Sequence, residues 1–172
     1  LVLLTILSLR LSAQGTPAPS APALAPAEME AFLLKAKITR QRDVGTGVTG
    51  SRRVTLSDGA VTHDAHVQVV DIAQQVFESG RNTELNFKDT YRYNIAGYRV
   101  AHLIGLETVP MSVDRVIDGK HAAVTWWVDD VKMDEKERLK TKSLGPDPLG
   151  TTKQIHILRV FDELIQNRDR NQ

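Results

Sequence analysis

The chain has 172 residues, of which 41% are hydrophobic and 25% charged, and its formal net charge is +1. These values are typical of a folded soluble domain and argue against a disordered chain or a protein that coats nucleic acid. We therefore expect no nucleic-acid partner, because the near-zero charge offers nothing to attract a polyanion. The absence of Cys excludes a disulfide, a thiolate zinc site and a Cys nucleophile.

The N-terminal part of the chain divides into two segments. Residues 1–13 form an apolar run that is too short to span a bilayer. We interpret it as the remnant of a secretory signal, which predicts a secreted or periplasmic protein without a stable membrane span; a buried N-terminal strand is the alternative. Residues 14–27 form a Pro/Ala linker that cannot build a core. One folded domain is therefore expected over 28–172.

Three glycines, Gly45, Gly47 and Gly50, form a G-x-G-x-x-G pattern near the start of this domain. A short helix over 28–37 and a strand over 36–41 are predicted before them. A dinucleotide-binding site requires a helix directly after the glycines. Here a β-branched run and an Asp-Gly hairpin turn follow instead. This layout resembles the glycine-rich loop that covers ATP phosphates in kinases, with a plain glycine-rich hairpin as the alternative.

The alternation over 61–71 predicts a third, half-buried strand. A kinase would place a lysine on this strand, but the sequence has no Lys between Lys37 and Lys88. Lys88 or Arg81 would have to replace it, or nucleotide binding would be altered or lost. His63 and His66 do not form a metal pair on a strand, because residues three apart point to opposite faces.

A long helix is predicted over 87–104, with a cap built by Asn86 and Asp89, and Gly105 suits its C′ position. In kinases the corresponding helix contributes a Glu that pairs with the strand lysine. Asn94 stands near the middle of the predicted helix instead, and an unpaired buried Glu would be costly without the lysine. The Leu-Gly-Leu and Val-Pro of residues 103–110 are similar to the same region of atypical kinases.

A second hairpin is predicted from a strand over 109–117, an Asp-Gly turn and a strand over 121–128. Adjacent Trp126 and Trp127 should point to opposite sides of the sheet. One ring is then expected in the core. In the kinase layout this strand runs into the segment that contacts adenine, so Trp127 and Val128 are candidate nucleotide contacts; two structural tryptophans are the alternative.

The last third of the chain begins with mixed charges over 129–142, which predict a solvated helix or surface crossover, followed by a loop over 143–150. An amphipathic helix should follow, capped by Thr151 or Thr152. It leads into the sequence Asn-Arg-Asp-Arg-Asn at 167–171. This phrase resembles the catalytic loop of atypical kinases, namely HipA-type, secretory-pathway and phosphoinositide kinases; a solvated charged loop is the alternative.

The resemblance implies roles for four residues and two cofactors. Asp169 would accept or orient the proton of the attacking hydroxyl, and Arg170 would position Asp169 or neutralise phosphate charge, with Asn167 and Asn171 in the same catalytic loop. ATP and Mg²⁺ would be the cofactors. The main Mg²⁺ ligands are expected beyond residue 172, so no metal ligand is assigned and this stretch alone is expected to be inactive.

The fold class expected from these elements is α+β. It comprises an antiparallel sheet of hairpins, one long packed helix as in a kinase N-lobe, and the first helix of a second lobe. The expected function is ATP-dependent phosphotransfer to an acceptor that the sequence does not identify. Two alternatives remain, a catalytically inactive kinase-like module that binds nucleotide or protein, and an unrelated extracytoplasmic structural domain.

Overall fold

The structure is a computed structural model, and it describes residues 24–43, 51–80 and 82–167. Its main body is a five-stranded antiparallel sheet with one helix on each face. The helices are α1 (Pro26–Lys35), α2 (Arg92–Leu103), α3 (Glu135–Thr141) and α4 (Pro148–Ile165). The strands are β1 (Lys37–Asp43), β2 (Arg52–Ser57), β3 (Thr62–Gln68), β4 (Asp71–Ser79), β5 (Asn82–Thr90), β6 (Ser112–Ile117) and β7 (Lys120–Trp126). This architecture confirms the predicted α+β class.

The strands of the main sheet follow the order β1-β2-β3-β7-β6. Asp43 at the end of β1 pairs with Arg52 at the start of β2, so the chain that contains the three glycines connects two neighbouring antiparallel strands. The Asp58-Gly59 turn joins β2 to β3: Asp58 accepts hydrogen bonds from the backbone of Ala60 and Val61 at 2.9 and 2.8 Å. The Asp118-Gly119 turn joins β6 to β7, which pair antiparallel with Ile117 opposite Lys120. Both predicted Asp-Gly hairpins are therefore present.

Helix α1 covers the apolar face of this sheet. Apolar residues at alternate positions of β2, β3, β6 and β7 point to this face and are buried, because successive side chains of a strand point to opposite sides. Phe32 and Leu33 are the buried residues of α1. Together they form the main core with Val54, Leu56, Ala65, Val67, Val113, Ile117, Ala122 and Val124. Arg115 attaches the same helix by donating to the carbonyl of Leu33 at 3.0 Å.

Helix α2 packs against the opposite face, over β6 and β7. Two residues pack against Ala123 and are buried there, namely Ile95 of the helix and Tyr91 just before it. The helix ends at Ile104 and Gly105, where Gly105 has a φ of +73° and the Leu106 amide donates to Ala101 at 2.8 Å. This C-terminal geometry agrees with the predicted C′ glycine.

The start of α2 differs from the sequence-based prediction. Residues 87–90 belong to β5, which pairs with β4 in a separate two-stranded sheet, and the helix begins at Arg92. Asn86 has a φ of +55° within β5 and caps no helix. Cross-strand pairing, with Phe77 stacked on Phe87 at 4.2 Å, overrides the local capping signal. The predicted third strand over 61–71 corresponds to β3, which ends at Gln68, and β4 begins at Asp71.

The C-terminal helices lie at the surface. None of the residues of α3 is buried, as predicted for the charged run. Helix α4 begins earlier than predicted, because Asp147 caps it by accepting from the Gly150 amide at 3.0 Å, so neither Thr151 nor Thr152 is the cap. Helix α4 lies close to α2 at Gly97, because a Cβ added to this glycine would lie 3.9 Å from the Cδ1 of Ile165. None of the described helices is long and apolar enough to cross a membrane.

Candidate functional site

The face of β1–β3 opposite α1 carries polar side chains. Because side chains alternate along a strand, Val54 and Leu56 point into the core while Arg53 and Thr55 point away from it. Cross-strand partners extend this surface to β1 and β3. We call it the polar face, defined by Arg40, Arg42, Arg53, Thr55, Asp64, His66 and Trp127.

Asp64 is the centre of the polar face. Its Oδ2 accepts from the Nε of Arg53 at 2.6 Å and lies 2.6 Å from a terminal nitrogen of the same guanidinium, so both nitrogens contact one carboxylate oxygen. Its Oδ1 accepts from the Thr55 hydroxyl at 2.6 Å. Arg42 is a more distant partner at 3.6 Å. Burial alone would raise the pKa of Asp64, but the Thr55 and Arg53 hydrogen bonds and the Arg53 and Arg42 charges outweigh it and lower the pKa.

Trp127 joins the polar face to the chain that leaves β7. The guanidinium of Arg53 lies over its ring, 4.0 Å from the ring centroid. The Trp127 amide donates to the carbonyl of Asp64 at 3.2 Å. Arg53 is thus held between a carboxylate and an aromatic ring, two partners that suit a planar cation. Val128, the next residue, is more than half exposed.

Trp126 lies on the other side of the sheet, as the alternation predicts. Its ring meets Phe32 edge to face at 5.9 Å and stacks on His63 at 3.7 Å. One tryptophan is therefore part of the core and its neighbour is part of the polar face.

His63 fastens the segment after β7. One ring nitrogen, Nδ1, lies 2.7 Å from the carbonyl of Asp64, and Nε2 lies 2.8 Å from a carboxylate oxygen of Asp129. His66 lies on the opposite face, paired with Arg53 across β2 and β3. Burial lowers the pKa of His66, which favours its neutral form. The two histidines thus lie on opposite faces, as predicted.

Lys88 is not part of this face. It is an exposed residue of β5, paired with Ala73 in the two-stranded sheet. Asn94 is also exposed and lies in the first turn of α2 rather than near the middle, because the helix begins at Arg92. The buried residues of α2 are Ile95, Gly97 and Ala101, so its packed side is apolar.

Asn167 is held at the end of α4. Gln166 has a φ of +56°, and the Asn167 amide then donates to the carbonyl of Asp162 at 2.8 Å. The Asn167 side chain also donates to the Asp162 carboxylate at 3.0 Å. These bonds end the helix as a C-terminal cap. The other predicted catalytic residues (Asp169, Arg170, Asn171) and the three glycines (Gly45, Gly47, Gly50) lie outside the described residues.

The sequence-based reasoning missed the cluster of Arg42, Arg53 and Asp64. A signal was present, because polar residues alternate with apolar ones in β2 and β3, and the Asp58-Gly59 turn fixes which of them face each other. Within residues 24–43, 51–80 and 82–167, no three His, Asp or Glu side chains are grouped so as to hold a metal ion.

Comparison of the chain with family models, with curated proteins and with solved structures finds no match.

Proposed function

We propose that this chain forms the nucleotide-binding part of a kinase-like, ATP-dependent phosphotransferase whose acceptor is unknown. Kinases place a glycine-rich loop between the first two strands, a third strand, then a helix and further strands before the catalytic loop. The chain has the same succession, with glycines between β1 and β2, α2 before β6 and β7, and α4 before Asp169. The additional β4–β5 hairpin lies between β3 and α2.

The observation that carries the proposal is the contact between Arg53 and Trp127. Arg53 is the second residue of β2, shortly after the glycine-containing segment, and Trp127 is the first residue after β7. In a kinase the nucleotide lies between these two places, with its base at the exit of the last strand and its phosphates under the glycine loop. The 4.0 Å contact leaves no room for a base between the two side chains, but it brings the two ends of the proposed site side by side, so that a nucleotide would lie along this pair. This juxtaposition supports the kinase-like proposal.

The surroundings of this contact suit nucleotide binding. Helix α2 covers β6 and β7 but leaves the described part of the polar face on β1–β3 accessible, since Arg40 and Arg42 are exposed. Val128 offers an exposed apolar side chain beside Trp127. Apolar surface with a few well-placed polar groups is the usual composition of a small-molecule site.

A second candidate is a kinase-like module that binds nucleotide without transferring phosphate. It is favoured by β3, where His66 occupies the polar face and no residue is a lysine. The apolar packed side of α2 likewise offers no acid to orient a lysine. Both candidates predict nucleotide binding, and only the first predicts turnover.

Thermal unfolding of the full-length protein with Mg²⁺ and ATP tests the shared part of the proposal. A ligand at a hundredfold its Kd stabilises the folded state by about 2.7 kcal/mol. The expected result is therefore a Tm that rises by several degrees as the ATP concentration increases. MgCl2 added without ATP should change the Tm little.

Release of ADP from ATP then separates the two candidates. We expect Asp169→Ala to retain the ATP-dependent Tm and to lose ADP release, since the carboxylate acts only in the chemical step. ATP binding without any turnover would favour the inactive module. A Tm indifferent to ATP, ADP and other nucleoside triphosphates would reject both candidates.

A further inference from the structure

We propose that Arg42 is a phosphate-binding residue, and that the polar face takes the polyphosphate of a nucleotide through this arginine rather than through a strand lysine. The inference rests on the proposed function, which it deepens by naming the group that meets the phosphates. It concerns described residues only, namely Arg40, Arg42, Arg53, Thr55 and Asp64.

The charges on this part of the sheet do not balance. Arg42 pairs with Arg53 across β1 and β2, so two guanidinium groups share the same side of the hairpin. Arg40 lies on that side as well, opposite Thr55, and is exposed. Asp64 is the carboxylate that faces both Arg42 and Arg53. One carboxylate against three arginines leaves a positive surface that suits an anion.

The two arginines beside Asp64 have different roles. Arg53 makes short contacts of 2.6 Å with the carboxylate and lies over Trp127, so its position is fixed from two sides. Arg42 reaches the same oxygen only at 3.6 Å, and its side chain is 49% exposed. A guanidinium has five donors in a planar fork, and a single contact at this distance leaves most of them available. Arg42 is therefore the arginine able to turn towards a ligand.

The neighbouring groups favour an anion over a cation. Thr55 already donates its hydroxyl to Asp64, and with Arg53 it occupies the carboxylate oxygens that a metal ion would need. Burial lowers the pKa of His66, which favours its neutral form, so the positive charge of this face comes from its arginines. Arginine recognises phosphate through two parallel hydrogen bonds, which selects phosphate oxygens among anions.

The geometry also relates Arg42 to the proposed base site. Arg42 is the cross-strand neighbour of Arg53, and Arg53 lies on Trp127. A ligand with its base beside Trp127 would therefore extend its phosphates towards β1. This direction matches the site of phosphate contacts in the kinase layout, at the β1–β2 end of the sheet.

Isothermal titration with three probes tests the inference: inorganic tripolyphosphate, ATP and adenosine. We expect Arg42→Ala to weaken tripolyphosphate and ATP by roughly tenfold or more, because a hydrogen bond to a charged group is lost. Adenosine should bind the variant as it binds the wild type. Arg42→Lys keeps the charge without the planar fork and should recover only part of the affinity.

Arg52→Ala is the matched control. Arg52 stands at the same end of the same hairpin and has the same charge. Its backbone lies opposite Asp43 in the strand register, and its side chain donates to Gln41 on the other side of the sheet. Its removal should leave the affinity for tripolyphosphate within about twofold, the change expected from net charge alone. Equal losses in Arg42→Ala and Arg52→Ala, or no loss in Arg42→Ala, would overturn the inference.

The probes separate failure of the inference from failure of the proposed function. Tripolyphosphate binding that needs Arg42, with ATP binding no tighter and adenosine not at all, would keep the anion site and reject the nucleotide site. ATP binding that is unchanged in Arg42→Ala would keep the nucleotide site and reject the role of Arg42 in phosphate binding. A wild-type protein that binds none of the three probes would reject both.

Discussion

The two faces of the five-stranded sheet are made by the same strands but differ in composition and burial. On the face under α1, alternate residues of β2 and β3 are almost fully buried, and they form one continuous apolar core. On the polar face the intervening residues form charged and hydrogen-bonded contacts around Asp64 that remain partly accessible. The first face supplies the apolar burial that stabilises the fold, and the second carries the proposed site, because apolar contacts give stability and placed polar groups give specificity.

The largest expected effect comes from the apolar face. Leu56→Ala removes a fully buried side chain from β2 and leaves a cavity under α1. We expect a loss of about 2–5 kcal/mol in the free energy of unfolding. Val116→Ala is the matched control, since Val116 lies on β6 with its side chain 55% exposed, and it should change stability by less than about 0.5 kcal/mol. Urea denaturation of both variants measures the difference, and similar losses would contradict the assignment of the two faces.

Removing the charge at the centre of the polar face should have a smaller, pH-dependent effect. Asp64→Asn keeps the shape of the side chain but weakens the hydrogen bonds that Arg53 and Thr55 donate to it. We expect the free energy of unfolding to fall by about 1–3 kcal/mol near neutral pH. The folded-state pKa of Asp64 lies below its ordinary value. Its stabilisation is therefore fully present above the unfolded pKa and disappears as the pH falls through the folded pKa.

The stability difference between wild type and Asp64→Asn should consequently shrink as the pH is lowered below about 4, near the ordinary pKa of an aspartate. Denaturation curves between pH 3 and pH 7 measure this difference. A gap that stays constant over the whole range would show that the Asp64 charge does not stabilise the fold. Thr55→Val provides the comparison, because it removes one hydrogen bond without removing the ionisable group.

The adjacent tryptophans compare the two faces at one position of the chain. Trp126 packs on Phe32 and His63, whereas Trp127 meets Arg53. A partly exposed cation–π contact contributes about 0.5–1 kcal/mol, so Trp127→Leu should cost about that much and Trp126→Leu clearly more. Thermal unfolding of the two variants ranks them. The reverse order would mean that Trp127, not Trp126, is the structural tryptophan.

The sequence predicted the sheet well where the pattern was local. The alternation around Ala65 and Val67, the Asp-Gly turns and the C′ role of Gly105 all depend on residues close in the chain, and the structure agrees with each of them. The opposite orientation of Trp126 and Trp127 followed from the strand period alone. These features could be predicted because a strand or turn is specified by its own residues.

The errors arose where distant residues decide. Asn86 and Asp89 resemble a helix start, but β4 pairs with this segment and draws it into β5. The cap of α4 is a local exception, because Asp147 accepts from the Gly150 amide three residues later and replaces the predicted cap at Thr151 or Thr152. The contact of Arg53 with Trp127 joins residues that are far apart in sequence, so no local pattern predicts it. The roles of Asp169, Arg170, Asn171 and the three glycines remain predictions.

The smallest expected effect on stability belongs to Arg42, and its smallness is informative. Its contact with Asp64 is 3.6 Å long and half exposed, and ion pairs of this kind contribute about 0–1 kcal/mol. Arg42→Ala should therefore leave the Tm nearly unchanged while it weakens tripolyphosphate binding. A large fall in Tm, beyond that of Thr55→Val, would make Arg42 a structural partner of Asp64. Unchanged stability with lost anion binding would place its role in recognition, since the fold does not need it.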